Sequence, residues 1–173
     1  DIAWRYCREV HYRVNGNPYV AIGFQNDRDG WEFRTARFKG GSSPKYKTTI
    51  DNGHEDVLVF EGFMDFLSYL TLKEYPAFSL NVVVLNSVAN LDKAIPFLQC
   101  NNNIHLFLDH DEAGRKATAE IVNRCPQSEV IDQSGFYLGY KDVNDYLQAK
   151  TLPRHVPSVR PAPGKPGPKI GGR

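Results

Sequence analysis

Four short apolar runs, Val57 to Phe60, Val82 to Leu85, Ile104 to Leu108 and Glu129 to Ile131, are separated by stretches whose apolar residues recur at helical spacing. Phe63 to Glu74 places Phe63, Phe66, Leu67 and Leu70 on one helical stripe, and Leu91 to Gln99 and Glu112 to Arg124 follow the same period. A last helix is expected from Val143 to Ala149. Strands alternating with helices favour a parallel sheet joined by crossover helices. The strands are continuously apolar rather than alternating with polar residues, so both faces of that sheet should be covered. The expected fold class is α/β, a Rossmann-like parallel sheet with flanking helices.

Residues 1–53 read differently. Tyr19 to Phe24 and Trp31 to Phe38 are extended candidates on either side of Asn26-Asp27-Arg28-Asp29-Gly30, a turn-rich interruption that suits a β-hairpin. The chain thus divides into a small β-rich subdomain over 1–53, an α/β domain over 54–150 and a Pro/Gly-rich tail over 151–173. Between Arg28 and Lys47 the cations Arg28, Arg34, Arg37, Lys39, Lys45 and Lys47 outnumber Asp29 and Glu32, and Trp31, Phe33, Phe38 and Tyr46 are interleaved with them. Cations on phosphates and rings available for stacking are what a single nucleic-acid strand requires.

The formal net charge of +1 conceals a division. Of 21 basic and 20 acidic side chains, five basic and no acidic ones lie from Thr151 onward, which leaves sixteen against twenty in residues 1–150. The body is therefore acidic and the tail basic. That tail is too poor in apolar groups to offset its ordering entropy, and it reads as a flexible basic arm. Neither a run of eighteen apolar residues nor a charged-then-apolar leader occurs, so no membrane is expected as a partner and the cytoplasm is the default compartment. Cys7, Cys100 and Cys125 lack CxxC spacing, which argues against a disulfide framework and a zinc site. The chain opens on Asp1 rather than Met, as an excised fragment would.

Chemistry is concentrated where apolar runs end. Glu61 follows Asp56-Val-Leu-Val-Phe60, and Asp109-His-Asp111 follows Ile104-His-Leu-Phe-Leu108. Open α/β sheets bind ligands at such carboxyl edges. Carboxylates gathered there repel by roughly 4 kcal/mol per pair at about 4 Å and an effective dielectric of about 20. A divalent cation relieves that repulsion, and oxygen ligands of this kind suit Mg²⁺ or Mn²⁺. If the chain stays extended, Asp109 and Asp111 point to one side and His110 to the other. Gly62 permits a tight turn and close approach of a ligand, and Gly114 permits close approach of backbone or phosphate. Blander roles compete: Glu61 and Asp65 complement a helix dipole, Asp111 caps the helix from Glu112, and Asp142, with Asp145 close behind, caps the last helix. Asn86-Ser87 occupies a further carboxyl-edge loop. GxGxxG and GxxxxGK[ST] are both absent, and an aspartyl-phosphate enzyme would carry its Asp-x-Asp on the first core strand rather than the third.

Glu61-Gly-Phe-Met-Asp65 resembles the EGxxD element of the TOPRIM domain, and Asp109-His-Asp-Glu-Ala-Gly114 resembles its DxDxAG element. Lys141-Asp142-Val-Asn-Asp145 is similar to the third acidic motif of bacterial primases, and Arg37 with Pro44-Lys45-Tyr46 resembles the stretch that precedes their TOPRIM domain. The chain also resembles primase-like proteins of bacterial mobile elements. The resemblance implies a primase-type nucleotidyltransferase that makes RNA primers on single-stranded DNA from nucleoside triphosphates. Glu61, Asp109 and Asp111 would be catalytic and, with Asp142, would hold Mg²⁺ or Mn²⁺. Arg34, Arg37, Lys45, Lys47, Asn86, Ser87 and Lys141 would bind nucleic acid or nucleotide, supported by Gly62, Asp65, Gly114 and Asp145. A replicative helicase or mobilisation proteins would be the protein partners. A TOPRIM nuclease built on the same carboxylates and a non-catalytic nucleic-acid-binding module are the alternatives.

Overall fold

The structure, a computed structural model, describes residues 2–74 and 79–151. Apart from Thr151, the basic tail anticipated over 151–173 lies outside the described residues. A short helix α1 (Ile2–Tyr6) leads into β1 (Cys7–Val14), β2 (Asn17–Gln25), β3 (Trp31–Arg34) and β4 (Lys39–Gly41), which form one antiparallel sheet in chain order.

The hairpin between β2 and β3 is the one anticipated; the one before it is additional. Val14 pairs with Asn17, and Asn15 (φ 51°) and Gly16 (φ 82°) both take left-handed backbone between them. A two-residue hairpin turn of this hand requires that conformation twice, and Asn-Gly is its usual sequence. The strand anticipated over Trp31 to Phe38 stops at Arg34. The Thr35 hydroxyl accepts from the Arg37 and Phe38 amides (3.2 and 3.0 Å), and Thr35 N–H donates to the Phe38 carbonyl (2.9 Å). The chain reverses there, and Arg34 comes opposite Lys39.

The second sheet contains β5 (Thr48–Ile50), β6 (Asp56–Phe60), β7 (Asn81–Val84), β8 (Asn103–Phe107) and β9 (Glu129–Asp132), in the order β5-β7-β6-β8-β9. β5 runs antiparallel to β7, and the other three pairings are parallel. The four anticipated strands are thus mutually parallel, as expected, and the additional edge strand β5 makes the sheet mixed. Thr48–Ile50 is too short for its pattern to be legible in sequence.

Alternate side chains of the continuous strands enter two cores, which is why these strands lack polar positions. Leu58, Phe60, Val82, Val84 and Phe107 pack under α2 (Phe63–Lys73) and α5 (Val143–Thr151). Val57, Val59, Val83, Leu85, Ile104 and Leu106 pack under α3 (Leu91–Leu98) and α4 (Glu112–Arg124). Phe24 and Cys7 of the first sheet belong to the former core, and the Phe24 and Phe63 rings stack at 5.2 Å. This contact seats the small sheet over the start of α2. Among the described residues no helix is long and apolar enough to cross a membrane.

Candidate functional site

From β6 the chain crosses to β7 on one side and then returns to β8 on the other, so a crevice opens between the carboxyl ends of β6 and β8. Phe60 lies opposite Phe107 in that pairing, and Glu61 and Asp109 follow the two strands. The Asp109 N–H donates to Glu61 Oε2 at 3.4 Å. Burial, reinforced by the charge of Asp109, raises the Glu61 carboxyl above the usual carboxylate range. Gly62 begins α2 in extended conformation, and a Cβ there would lie 3.1 Å from Asp65 Oδ2.

Asp65 is 7% exposed and accepts the Asn144 N–H at 3.2 Å. Burial first, then the charges of Asp142 and Asp109, push its carboxyl up to about 8. At neutral pH it is largely protonated. It thereby ties the first turn of α2 to the start of α5 without adding a full charge to the crevice.

The segment after β8 does not remain extended. The Asp111 N–H donates to the Asp109 carbonyl at 2.8 Å, and Asp111 Oδ1 accepts the Gly114 N–H at 2.9 Å, capping α4. This bend removes the extended backbone that would align the two side chains. Asp109 lines the crevice, while Asp111 stands outside its lining and adds to the upward push on Glu61 through its charge. Gly114 serves backbone approach: a Cβ there would meet the Asp109 carbonyl oxygen at 2.1 Å.

The segment before α5 closes the crevice. His110 N–H donates to the Lys141 carbonyl (2.7 Å), the His110 ring bonds the Tyr140 carbonyl (2.5 Å), and buried Tyr137 donates its hydroxyl to the Leu108 carbonyl (2.6 Å). Asp142 Oδ1 accepts the Asp145 N–H at 2.7 Å, so Asp142 both caps α5 and lines the crevice. Asp145 is exposed outside that lining. Lys141 Nζ lies 2.7 Å from Asp109 Oδ2, and this bond keeps the ammonium protonated above its ordinary range.

Together these elements bound a cleft of about 220 Å³ in which Glu61, Asp109, Lys141 and Asp142 face Arg34 and Lys39 of the first sheet. Lys39 was counted in the basic segment from Arg28 to Lys47 but not singled out as a binding residue. Its clue was the Arg34 to Lys39 reversal, legible only once the strand is known to stop at Arg34. Of the anticipated binding residues, Arg34, Asn86 and Lys141 line the cleft, and Arg37, Lys45, Lys47 and Ser87 do not. Arg37 is exposed away from the cleft lining; Lys45 pairs with Glu32 at 3.0 Å; Lys47 is 8% exposed and paired with Asp27 at 2.7 Å. Asn86 reaches the lining, but its amide donates to the Tyr46 carbonyl and Thr48 hydroxyl (3.0 and 3.1 Å), and its Oδ1 is buried without a partner. Ser87 caps a short 3₁₀ turn through the Ala89 N–H.

Among the described residues no three His, Cys, Asp or Glu side chains are gathered closely enough to hold a metal ion together. The donor chemistry nevertheless fits a hard divalent cation, since the cleft offers oxygen ligands from three chain segments. A cation already stands on one of them, the ammonium of Lys141.

The description "Toprim-like" belongs to the family whose profile matches residues 58–147, and a domain of unknown function matches residues 1–43. No curated protein matches the chain. Among solved structures, the primase fragment of the bacteriophage T7 primase-helicase protein is similar at 23% identity and a TM-score of 0.56, over 79% of this chain and 60% of that one. The zinc-binding and RNA polymerase domains of the Aquifex aeolicus primase are similar at 18% identity and a TM-score of 0.52, over 84% of this chain and 41% of that one. The chain therefore spans less than two thirds of the length of either structure.

Proposed function

Because the chain belongs to the Toprim-like family, we propose that it is the catalytic part of a primase-type nucleotidyltransferase, which extends RNA primers on single-stranded DNA. The observation that carries this reading is the composition of the cleft: carboxylates from the edge of the second sheet face Arg34 and Lys39 from the first. Glu61, Asp109 and Asp142, with Asp111 beside them, would hold Mg²⁺ or Mn²⁺. A divalent cation bound there supplies Lewis-acid stabilisation of phosphoryl oxygens.

The chain's own residues do the remainder. Arg34 and Lys39 neutralise the polynucleotide or triphosphate that enters opposite the carboxylates. Asp65, held neutral by burial, keeps the Asp142 segment in place through Asn144. The aromatic surface of the first sheet, where Tyr12 stacks against Tyr19 and Phe33 at 5.6 and 5.4 Å, offers platforms for unpaired bases.

The test incubates the protein with a single-stranded template, labelled ribonucleotides and Mn²⁺, and scores both new products and template integrity. Template-dependent ribonucleotide oligomers support the proposal. Shortened template without oligomers would replace it with nuclease activity at the same carboxylates. Binding with neither product would leave a non-catalytic module.

A further inference from the structure

Asp109 and Lys141 are unequally placed: the carboxylate side chain is 10% exposed and the lysine side chain 56%. A carboxylate so enclosed needs a counter-charge, because leaving it unpaired costs the desolvation of the ion. The ammonium that supplies this charge reaches it from solvent on a flexible four-carbon stem. Its backbone is anchored independently. The Lys141 carbonyl accepts the His110 N–H, and the next residue, Asp142, is tied down by capping α5. The side chain can therefore leave Asp109 without moving the segment that carries it. Within the same cleft stand Arg34 and Lys39, so a released ammonium shares the cleft with two further cations.

We propose that Lys141 is an exchangeable counter-cation: it holds Asp109 in the cation-free protein, yields that carboxylate to a divalent cation, and then turns its ammonium to the phosphates of the incoming nucleotide. The inference rests on the metal-site reading above. It accounts for an ammonium that stands 2.7 Å from a carboxylate of the same cleft. It also makes cation and nucleotide binding interdependent, since the cation frees a phosphate-binding group.

The proposal is tested without nucleotide by measuring free Mn²⁺ paramagnetically in titrations of the parent, Lys141→Met, Lys141→Arg and Asp109→Asn, with melting in chelator as a check on folding. Removing the competing ammonium should tighten Mn²⁺ binding by about two- to fivefold, the scale of a partly exposed ion pair. Lys141→Arg, which retains the charge, should stay close to the parent. A second readout uses the unmutated protein: acylation of Lys141 by an amine reagent, located by mass spectrometry, should accelerate when Mn²⁺ is added. An Mn²⁺ affinity of folded Lys141→Met at or below that of the parent, or an acylation rate that Mn²⁺ does not raise, overturns the exchange. Should Lys141→Met fail to fold, the acylation rate decides alone. If the parent binds Mn²⁺ no better than Asp109→Asn, the metal-site reading falls and takes the exchange with it. If parent binding depends on Asp109 but neither readout responds, only the exchange is lost.

Discussion

A Cβ built on Gly114 would meet the Asp109 carbonyl oxygen at 2.1 Å, so the first turn of α4 is seated directly on the backbone of the residue that lines the cleft. Gly114→Ala must push that turn away. Overpacking of this kind costs about 1–3 kcal/mol, so the melting temperature should fall by several degrees. A melting temperature equal to the parent's would contradict the close seating.

Tyr137 supports the same strand end from inside the core. Its buried hydroxyl is the donor to the Leu108 carbonyl, and Tyr137→Phe leaves that carbonyl without this partner. A buried acceptor left unpaired costs about 1–3 kcal/mol. The urea midpoint should drop accordingly, with little change in the slope of the transition; a midpoint within error of the parent would show that the bond contributes nothing.

Asp65 imposes a pH dependence of definite sign. Its folded-state carboxyl is pushed to about 8 from an ordinary value of 3.8, so between these limits the folded protein binds more protons than the unfolded chain. The contribution is complete below the unfolded value and is lost as pH rises through the folded one. Parent stability, measured by urea denaturation in chelator, should carry this loss between pH 4 and pH 8, and Asp65→Asn should lack it. The variant should thus gain on the parent as pH rises. A constant difference between the two at every pH would show that Asp65 is ionised in the fold.

Arg34 and Lys39 are brought together by the β3–β4 register and face the carboxylates across the cleft. Alanine at either should weaken single-stranded DNA binding and flatten its salt dependence, by about 0.7 in the logarithmic slope for each phosphate that is no longer neutralised. The same change at Lys47, itself buried and paired with Asp27, should act on stability instead. Equal salt slopes for Arg34→Ala, Lys39→Ala and the parent would remove both residues from the binding surface.

Much of the second sheet was legible because each strand is buried on both faces and so writes an unbroken apolar run. Val57, Leu58, Val59 and Phe60 feed two different cores, and no polar residue can stand among them. The helices declared themselves by period and by the short polar residues at their ends: α4 begins and stops where its pattern does. The edge strand β5 was not legible, since three residues held by a single neighbour carry too little pattern. The β1–β2 hairpin has its turn signal in Asn15-Gly16, but Cys7–Val14 is mostly exposed and lacks the apolar run that would mark a strand before it.

For the site, sequence by itself determined which acids stand at strand ends, because a strand's length and the sharp change to helical period are local properties. Glu61 and Asp109 needed nothing more to be singled out, whereas Asp142, ahead of α5 rather than at a strand end, stood out only through the resemblance of its motif. Tertiary structure alone decided how they are used. Strand order brought β6 beside β8, the Asp111 carboxylate was engaged in capping α4 through the Gly114 N–H, and the small sheet carried Lys39 into the cleft. The same level decided which charges are already paired: Lys47 with Asp27, Lys45 with Glu32 and Lys141 with Asp109. These partners are separated along the chain by loops and whole elements, and the pairing energy depends on distance and burial in the folded state, neither of which a local pattern of residues records.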